Sequence, residues 1–281
     1  MNVGLFVNLQ KPDARGFLTE LVGWLKENGF RPLVSAATAR TLKLGVRGVS
    51  DSTLVRRANI VLALGGDGTL LRAARAIGAR GVPVMGINLG GLGFLTEFSV
   101  DEARDGLLAF RDGRHTIEER VVIEARYRGR TAFVLNDCSI NMCEENRVIE
   151  LTASAAGEFL TKFVGDGVVV ATPTGSTAYS LAAGGPVVYP TMDALLITPL
   201  CPHALSARPV VLPGDTALEF TLSARTGSAV INLDGQERWR LVPGHPLKVK
   251  RARHRIRLVT PRHKTYFQIL RDKLHWAGSQ R

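Results

Sequence analysis

Cysteine is scarce in this chain of 281 residues: Cys138, Cys143 and Cys201 are the only three, and no Cys-x-x-Cys occurs. An odd, unspaced set excludes a disulfide framework and a structural zinc site, and leaves small core residues or free thiols. Long apolar runs are missing too, so no stretch is long enough to span a membrane. The start, Met1 running into Gly4-Leu5-Phe6-Val7, has no basic segment and no cleavage site of a signal peptide. These absences lead to the expectation of a cytoplasmic protein with no membrane partner. Repeats and low-complexity segments are absent as well.

Acidic residues are outnumbered, 25 against 36 Lys and Arg, for a net charge of +11. Such an excess attracts anions such as nucleic acid, anionic lipid or nucleotides. It is densest at Lys248-Val249-Lys250-Arg251-Ala252-Arg253-His254-Arg255-Ile256-Arg257-Leu258. The alternation from Arg255 to Leu258 reads as a strand with one wet face, a cationic edge that discourages edge-to-edge pairing. With no RNA or DNA module motif beside it, no nucleic-acid partner is expected.

What is present is ordinary globular composition, 45% hydrophobic and 22% charged, at a length that allows two modest domains or one large one. The chain is organised around Asn59-Ile60-Val61-Leu62-Ala63-Leu64-Gly65-Gly66-Asp67-Gly68-Thr69-Leu70-Leu71. The apolar run reads as a buried strand. Leu70, Leu71, Ala74 and Ile77 then share one face of a helix. Glycine between them lets backbone approach a ligand, and the free N–H groups at the helix start suit a phosphate. Asp67 has two readings. It caps the helix, or it does chemistry by accepting a proton from an attacking hydroxyl or holding a divalent cation. No Gly-Lys-Ser/Thr follows, so this is not a Walker A loop, and Leu71 stands where a dinucleotide fingerprint needs Gly.

Strand and helix patterns alternate through the first part of the chain. A strand at 2–8 leads to a helix through Phe17, Leu21, Trp24 and Leu25 that stops at Asn28-Gly29, then a strand from Arg31 to Ser35. Residues 36–58 read as a loop with a helix around Ser52 to Arg57. A strand from Val82 to Asn88, a glycine-rich turn and a helix from Asp101 to Phe110 follow. This order implies a doubly wound, Rossmann-like parallel sheet, with ligands at the carboxyl ends of its strands. After about residue 117 the runs become strand-like: 117–128, 131–142, 148–155, 168–172, 217–223, 229–233 and 246–259. The expected architecture is therefore α/β plus all-β. Residues 1–116 form the α/β domain, 117–260 a C-terminal β-sandwich, and 261–281 a tail packing back on the first domain.

The unusual stretch of the β half runs from Asp166 to Pro186. Its strand Val168–Thr172 passes into residues 173–186, which are small or hydroxylated and broken only by Tyr179 and Leu181. Small side chains let a flat ligand lie against backbone. Alternatively, Ser176 or Thr177 caps a short helix and the small residues pack tightly.

Four segments together resemble the bacterial NAD kinases, over nearly the whole chain to about Gln236. They are Gly65–Leu71, Asn88-Leu89-Gly90 with Leu92-Gly93-Phe94-Leu95-Thr96-Glu97, Asp166–Pro186, and Thr198–Pro209 with its Cys201-Pro202-His203. The first is shared with lipid kinases and phosphofructokinases; the third, at this distance and in this order, is specific. The resemblance implies phosphoryl transfer from ATP, or polyphosphate, to the adenosine 2′-hydroxyl of NAD, with Mg²⁺ or another divalent cation arriving with ATP. It makes Asp67 the general base, with Gly66, Gly68, Thr69 and Arg72 beside the nucleotide. Asn136 and Asp137 match the family's Asn-Glu pair for the adenosine part of NAD, with an Asp one methylene shorter than the family's Glu. Arg147 falls at the spacing of a nucleotide contact and Asp166 at the nicotinamide end. Thr177, Ala178, Tyr179, Ser180, Leu181 and Ala182 would line the dinucleotide pocket, and Gln236 completes the set. The family's usual state implies a homodimer or homotetramer. A lipid kinase would share the Gly-Gly-Asp-Gly-Thr run and suit a basic surface, but gives no reason for Thr177–Ala182.

Overall fold

The computed structural model describes residues 1–91, 93–143 and 148–276. They fall into two compact units, Met1–Glu119 with Ile256–Arg281, and Arg120–Arg255.

In the first unit, β1 (Asn2–Val7) leads to α1 (Ala14–Glu27), whose apolar residues Phe17, Leu18, Leu21, Val22 and Leu25 are buried. Asn28 forms its C-cap and Gly29, at φ 77°, turns the chain into β2 (Arg31–Val34). The weakly patterned stretch 36–58 holds two helices, α2 (Ala36–Leu42) and α3 (Asp51–Arg57). Ser35 and Ser50 start them, each accepting from the backbone N–H three residues on. Then β3 (Ile60–Gly65), all of it buried, runs straight into α4 (Asp67–Ile77). The unit continues through β4 (Val84–Asn88), α5 (Glu102–Arg111) and β5 (Thr116–Arg120). β1 pairs in parallel with β2 and β3, and β3 with β4, the pairing that alternating strands and helices require.

The second unit is two antiparallel sheets. One carries β6 (Ile123–Tyr127), β7 (Arg130–Val134), β9 (Ile149–Ala155), β10 (Glu158–Gly165), β14 (Leu218–Leu222) and β17 (Leu247–Arg251). The other carries β8 (Asp137–Met142), β11 (Gly167–Ala171), β12 (Ala194–Leu200), β13 (Val210–Pro213), β15 (Ala229–Leu233) and β16 (Glu237–Leu241). Inward residues of both, among them Ala125, Phe220 and Val249 from one and Ile140, Val168 and Ile231 from the other, form one buried core. This is the packing of a sandwich. The alternate residues of β11, Val169 and Ala171, are buried against Val188 on the sheet's other face. That explains why β11 is apolar on both sides. A short helix α6 (Tyr179–Ala182) lies in the small-residue segment that follows it.

The chain then returns. β18 (Ile256–Thr260) pairs in parallel with β4 and lies between β4 and β5 in the first sheet, and α7 (Tyr266–Leu274) follows it. This corrects two sequence expectations. The run 246–259 is two strands in different units, so the β-rich unit ends at Arg255 rather than at residue 260. Nor is the basic cluster an edge, because β17 lies between β14 and β6 and β18 is interior. Four of its cations have acidic partners: Lys248 with Glu219, Lys250 with Glu124, and both Arg251 and Arg255 with Asp193. Likewise 117–128 divides into β5 and β6, and 131–142 into β7 and β8. Lys264 Nζ donates to Glu97 O at 2.9 Å and forms an ion pair with Glu102, itself held below the usual carboxylate range, at about 2. Burial opposes that shift; the hydrogen bonds from Lys264 and Ser99 drive it.

Candidate active site

Asp67 is the first residue of α4, where an acid suits the helix dipole, behind a glycine N-cap, Gly66. The carboxylate reaches the second glycine-rich turn. Its Oδ2 accepts from Phe94 N at 2.9 Å, and its Oδ1 from Leu95 N, Thr96 N and Thr96 Oγ1, each at 3.1 Å. A carboxylate oxygen offers about two lone-pair sites, so Oδ1 is saturated by its three donors while Oδ2, with one donor among the described residues, keeps an acceptor site. The turn is itself braced by Asn88, whose amide donates to Gly91 O and Thr96 Oγ1 and accepts from Gly90 N.

The glycines here have two different causes. A Cβ on Gly93 would overlap Asp67 Oδ1 and Thr96 Oγ1, and one on Gly65 would overlap Thr69 Oγ1, so packing demands both. A Cβ on Gly66 or Gly68 would meet nothing within 4 Å. Packing does not explain these two, and the backbone they leave bare is the start of a helix, where an anion is favoured. Thr69 is buried, with its amide on Gly66 O at 2.9 Å. One turn on, Arg72 reaches back to β1: Nη2 donates to Val7 O at 2.9 Å, and the guanidinium lies 5.6 Å from the Phe6 ring centre.

The second unit gathers most of the remaining residues. The chain breaks between β7 and β8 at Leu135-Asn136, which is where the Asn136-Asp137 pair lies. Asn136 Oδ1 is buried with no partner among the described residues. Asp137 is buried and accepts from the Tyr179 backbone N–H. Burial first, and the nearby Asp234 carboxylate second, push it up to about 7 against the pull of that bond. The same burial raises the Cys138 thiol beside it.

Asn136 and Tyr179 belong to one cluster with the small-residue segment. Gly175 lies so close to the Asn136 carbonyl that any Cβ would collide with it. Thr177 ends a 3-10 turn, Thr174–Thr177, and Ala178 starts α6, where Tyr179, Ser180, Leu181 and Ala182 follow. Tyr179 is exposed at 41%, its hydroxyl accepting from Asn141 Nδ2 at 3.1 Å. Ser180 points inward, fully buried, with its hydroxyl 2.8 Å from that of Thr198. Neither helix start has a side-chain cap; the Ser176 hydroxyl bonds Pro173 O and Val188. Smallness at Gly175 and Gly185 is thus a packing need, since Gly185 touches Ser180 and Thr198.

Asp166 sits between β10 and β11, its amide on Leu200 O at 3.0 Å and its carboxylate accepting from the Cys201 thiol, which that bond raises. Gln236 closes the β15–β16 hairpin, its amide on Leu233 O at 3.0 Å. Asp234 and Gly235 have φ 51° and 63°, the left-handed values of the two central residues of a primed turn, in the three-residue connection between the paired ends Leu233 and Glu237. Arg147 lies outside the described residues.

Sequence reasoning missed two residues. Asp234 is more than a turn former: Oδ2 accepts from Leu135 N at 3.0 Å, and Oδ1 from Asn136 N at 2.8 Å and Asp137 N at 3.3 Å. Thr172 holds the same strand break by its carbonyls. Asp-Gly already had a sufficient explanation as a turn, so no further signal marked it.

Comparison with known proteins agrees with this fold. Residues 3–115 match the ATP-NAD kinase N-terminal domain and residues 135–260 the ATP-NAD kinase C-terminal domain. The chain is 40% identical to the NAD kinase of Geobacter metallireducens over 280 residues, 98% of each chain. It is 42% identical to that of Trichlorobacter lovleyi over 281 residues, again 98% of each. Among solved structures, yeast NADH kinase complexed with NADH superposes with a TM-score of 0.93 at 27% identity, covering 100% of this chain and 89% of that one. An Archaeoglobus fulgidus NAD kinase in complex with ATP has a TM-score of 0.79 at 21% identity, over 99% and 100%, and is a likeness of fold.

Proposed function

This chain belongs to the NAD kinase family, and from that premise we propose that it transfers the terminal phosphoryl group of ATP to the 2′-hydroxyl of the adenosine ribose of NAD⁺, giving NADP⁺ and ADP. The observation that carries the reading is Asp67: a carboxylate at the head of a helix, between Gly66 and Gly68, where an added Cβ would meet nothing within 4 Å, its direction fixed by three backbone amides and a hydroxyl. The ribose oxygen attacks the γ-phosphorus, its proton passes to Asp67, and the bond to ADP breaks. Oδ2 has one donor among the described residues, and its remaining acceptor site orients the hydroxyl; a carboxylate is a weak base for an alcohol, so Asp67 takes the proton late. That suits a loose transition state, in which positioning and charge neutralisation outweigh base strength.

Gly66 and Gly68 let the phosphates approach the backbone at the helix start, with Thr69 beside them, and Arg72 steadies that end of the sheet beside the nucleotide. Asn136 and Asp137 take the adenosine part of NAD, with Asn136 Oδ1 as an acceptor in want of a donor. Asp166 serves the nicotinamide end, while Thr177 to Ala182 and Gln236 line the dinucleotide pocket; Arg147 keeps its assignment by resemblance alone. The divalent cation, taken as Mg²⁺, enters with ATP. The described residues present no group of three or more His, Cys, Asp or Glu side chains placed for a metal. Polyphosphate is a second candidate donor, and a homodimer or homotetramer the candidate assembly. No helix among the described residues is long and apolar enough to cross a membrane, and Cys138, Cys143 and Cys201 are unpaired thiols, which supports placing the reaction in a reducing cytoplasm.

The test is incubation of purified protein with NAD⁺ and Mg²⁺ and either ATP or polyphosphate, with NADP⁺ quantified by an NADP-specific dehydrogenase. Formation with either donor supports the reading. Phosphorylation of a lipid substrate with no NADP⁺ would replace it.

A further inference from the structure

The family pattern gives no work to Asp234 or Thr172, yet both grip the segment that carries Asn136 and Asp137. From one side the Asp234 carboxylate accepts three consecutive backbone N–H groups, those of Leu135, Asn136 and Asp137, and Asp234 N donates back to Asp137 O at 2.9 Å. From the other, Thr172 Oγ1 donates to Leu135 O at 2.6 Å and Thr172 N to Asn136 O at 2.9 Å. The same hydroxyl accepts from Gly175 N at 3.1 Å, which ties the grip to the small-residue segment. Asp234 is nearly buried and Thr172 wholly so. Three amide donors converging on one carboxylate fix both the backbone and the position of its charge.

We infer that Asp234 and Thr172 are a positioning pair that aims Asn136 and Asp137 at the adenosine part of NAD and thereby sets the affinity for NAD rather than for ATP. This rests on the function proposed above. The pair also has an electrostatic consequence. The groups facing Asp137 are the Asp234 carboxylate, the Cys138 thiol and the Tyr179 amide, and the Asp234 charge makes Asp137 harder to ionise.

The experiment is steady-state kinetics of Asp234→Asn, Thr172→Val and Thr172→Ser, with the pH dependence of kcat/KM for NAD⁺. Asn tolerates the left-handed backbone of the turn, but it places an NH₂ against an amide N–H. We expect KM for NAD⁺ to rise about tenfold or more, KM for ATP to move less than about twofold, and the acid limb of the profile to shift to lower pH, because a like charge beside Asp137 is gone. Thr172→Val should raise KM for NAD⁺ and Thr172→Ser should restore it. A purely structural role would lower kcat or yield alike for both substrates and leave the pH limb in place. Folded Asp234→Asn with wild-type KM for NAD⁺ and an unmoved limb overturns the inference. If that variant does not fold, equal KM for NAD⁺ in Thr172→Val and wild type overturns it. Wild-type protein that makes no NADP⁺ removes the proposed function itself, which is distinct from an active wild type whose variants match it.

Discussion

Asp67 carries the heaviest burden of any residue here, and its surroundings say how it can be disturbed without touching it. Gly93 is packed against its carboxylate, so Gly93→Ala forces the turn at Phe94–Thr96 away from Asp67. We expect a loss of kcat of about tenfold or more, near the low end of what a general base contributes, with overall stability little changed by thermal melting. The Asp137 carboxyl gives a second residue-level expectation. Its folded value is raised from 3.8 to about 7, so between those limits the folded state binds more protons than the unfolded one. Stability therefore falls as pH rises through that window, by up to about 1.4 kcal/mol per pH unit. Asp137→Asn should flatten the fall, read by urea denaturation at a series of pH values. At this scale the sequence was informative for Asp67, which its glycine context marks. It left capping and chemistry both open; in the structure the carboxylate bonds the Phe94–Thr96 turn, and the chemical role is the proposal made above. It was silent on Asp234, because a hairpin turn already accounts for Asp-Gly.

Elements were legible where one period held for a whole segment. The helix through Phe17 and Leu25 and the strand before Gly65 stand where hydrophobic spacing puts them. Boundaries failed where an apolar pattern ran on through a change of sheet. Val121 and Val122 are both buried between β5 and β6, so nothing in the pattern marks the crossing. α2 was missed because only Thr38 of its residues is buried; its start is set by the Ser35 cap. β16 was missed although Arg238 and Arg240 alternate with Trp239 and Leu241, because the strand is only five residues long and has just two buried side chains. For α7, Thr265 and Gln268 form a capping box. Thr265→Ala should cost about 1 kcal/mol. Faster amide exchange confined to Tyr266–Leu274, with β3 and β4 unaffected, is the expected reading.

At the scale of the molecule, two units of opposite construction share one chain, and the first is completed only by its last strand. Ile256, Leu258 and Val259 of β18 are buried. Fully burying one such side chain is worth about 1.5–3 kcal/mol, and a domain's whole stability is about 5–15 kcal/mol. A chain ending at Arg255 should therefore fail to fold its first unit, seen as lost helical circular dichroism or insolubility. A chain ending at Trp276 should retain both. The central claim, that Asp67 serves the hydroxyl in phosphoryl transfer, meets its most direct test in Asp67→Asn at saturating NAD⁺ and ATP. A kcat lower by about 10²–10⁴-fold, with KM for NAD⁺ nearly unchanged, is the result expected. A raised KM for NAD⁺ with kcat intact would contradict it, and would make Asp67 a binding residue only.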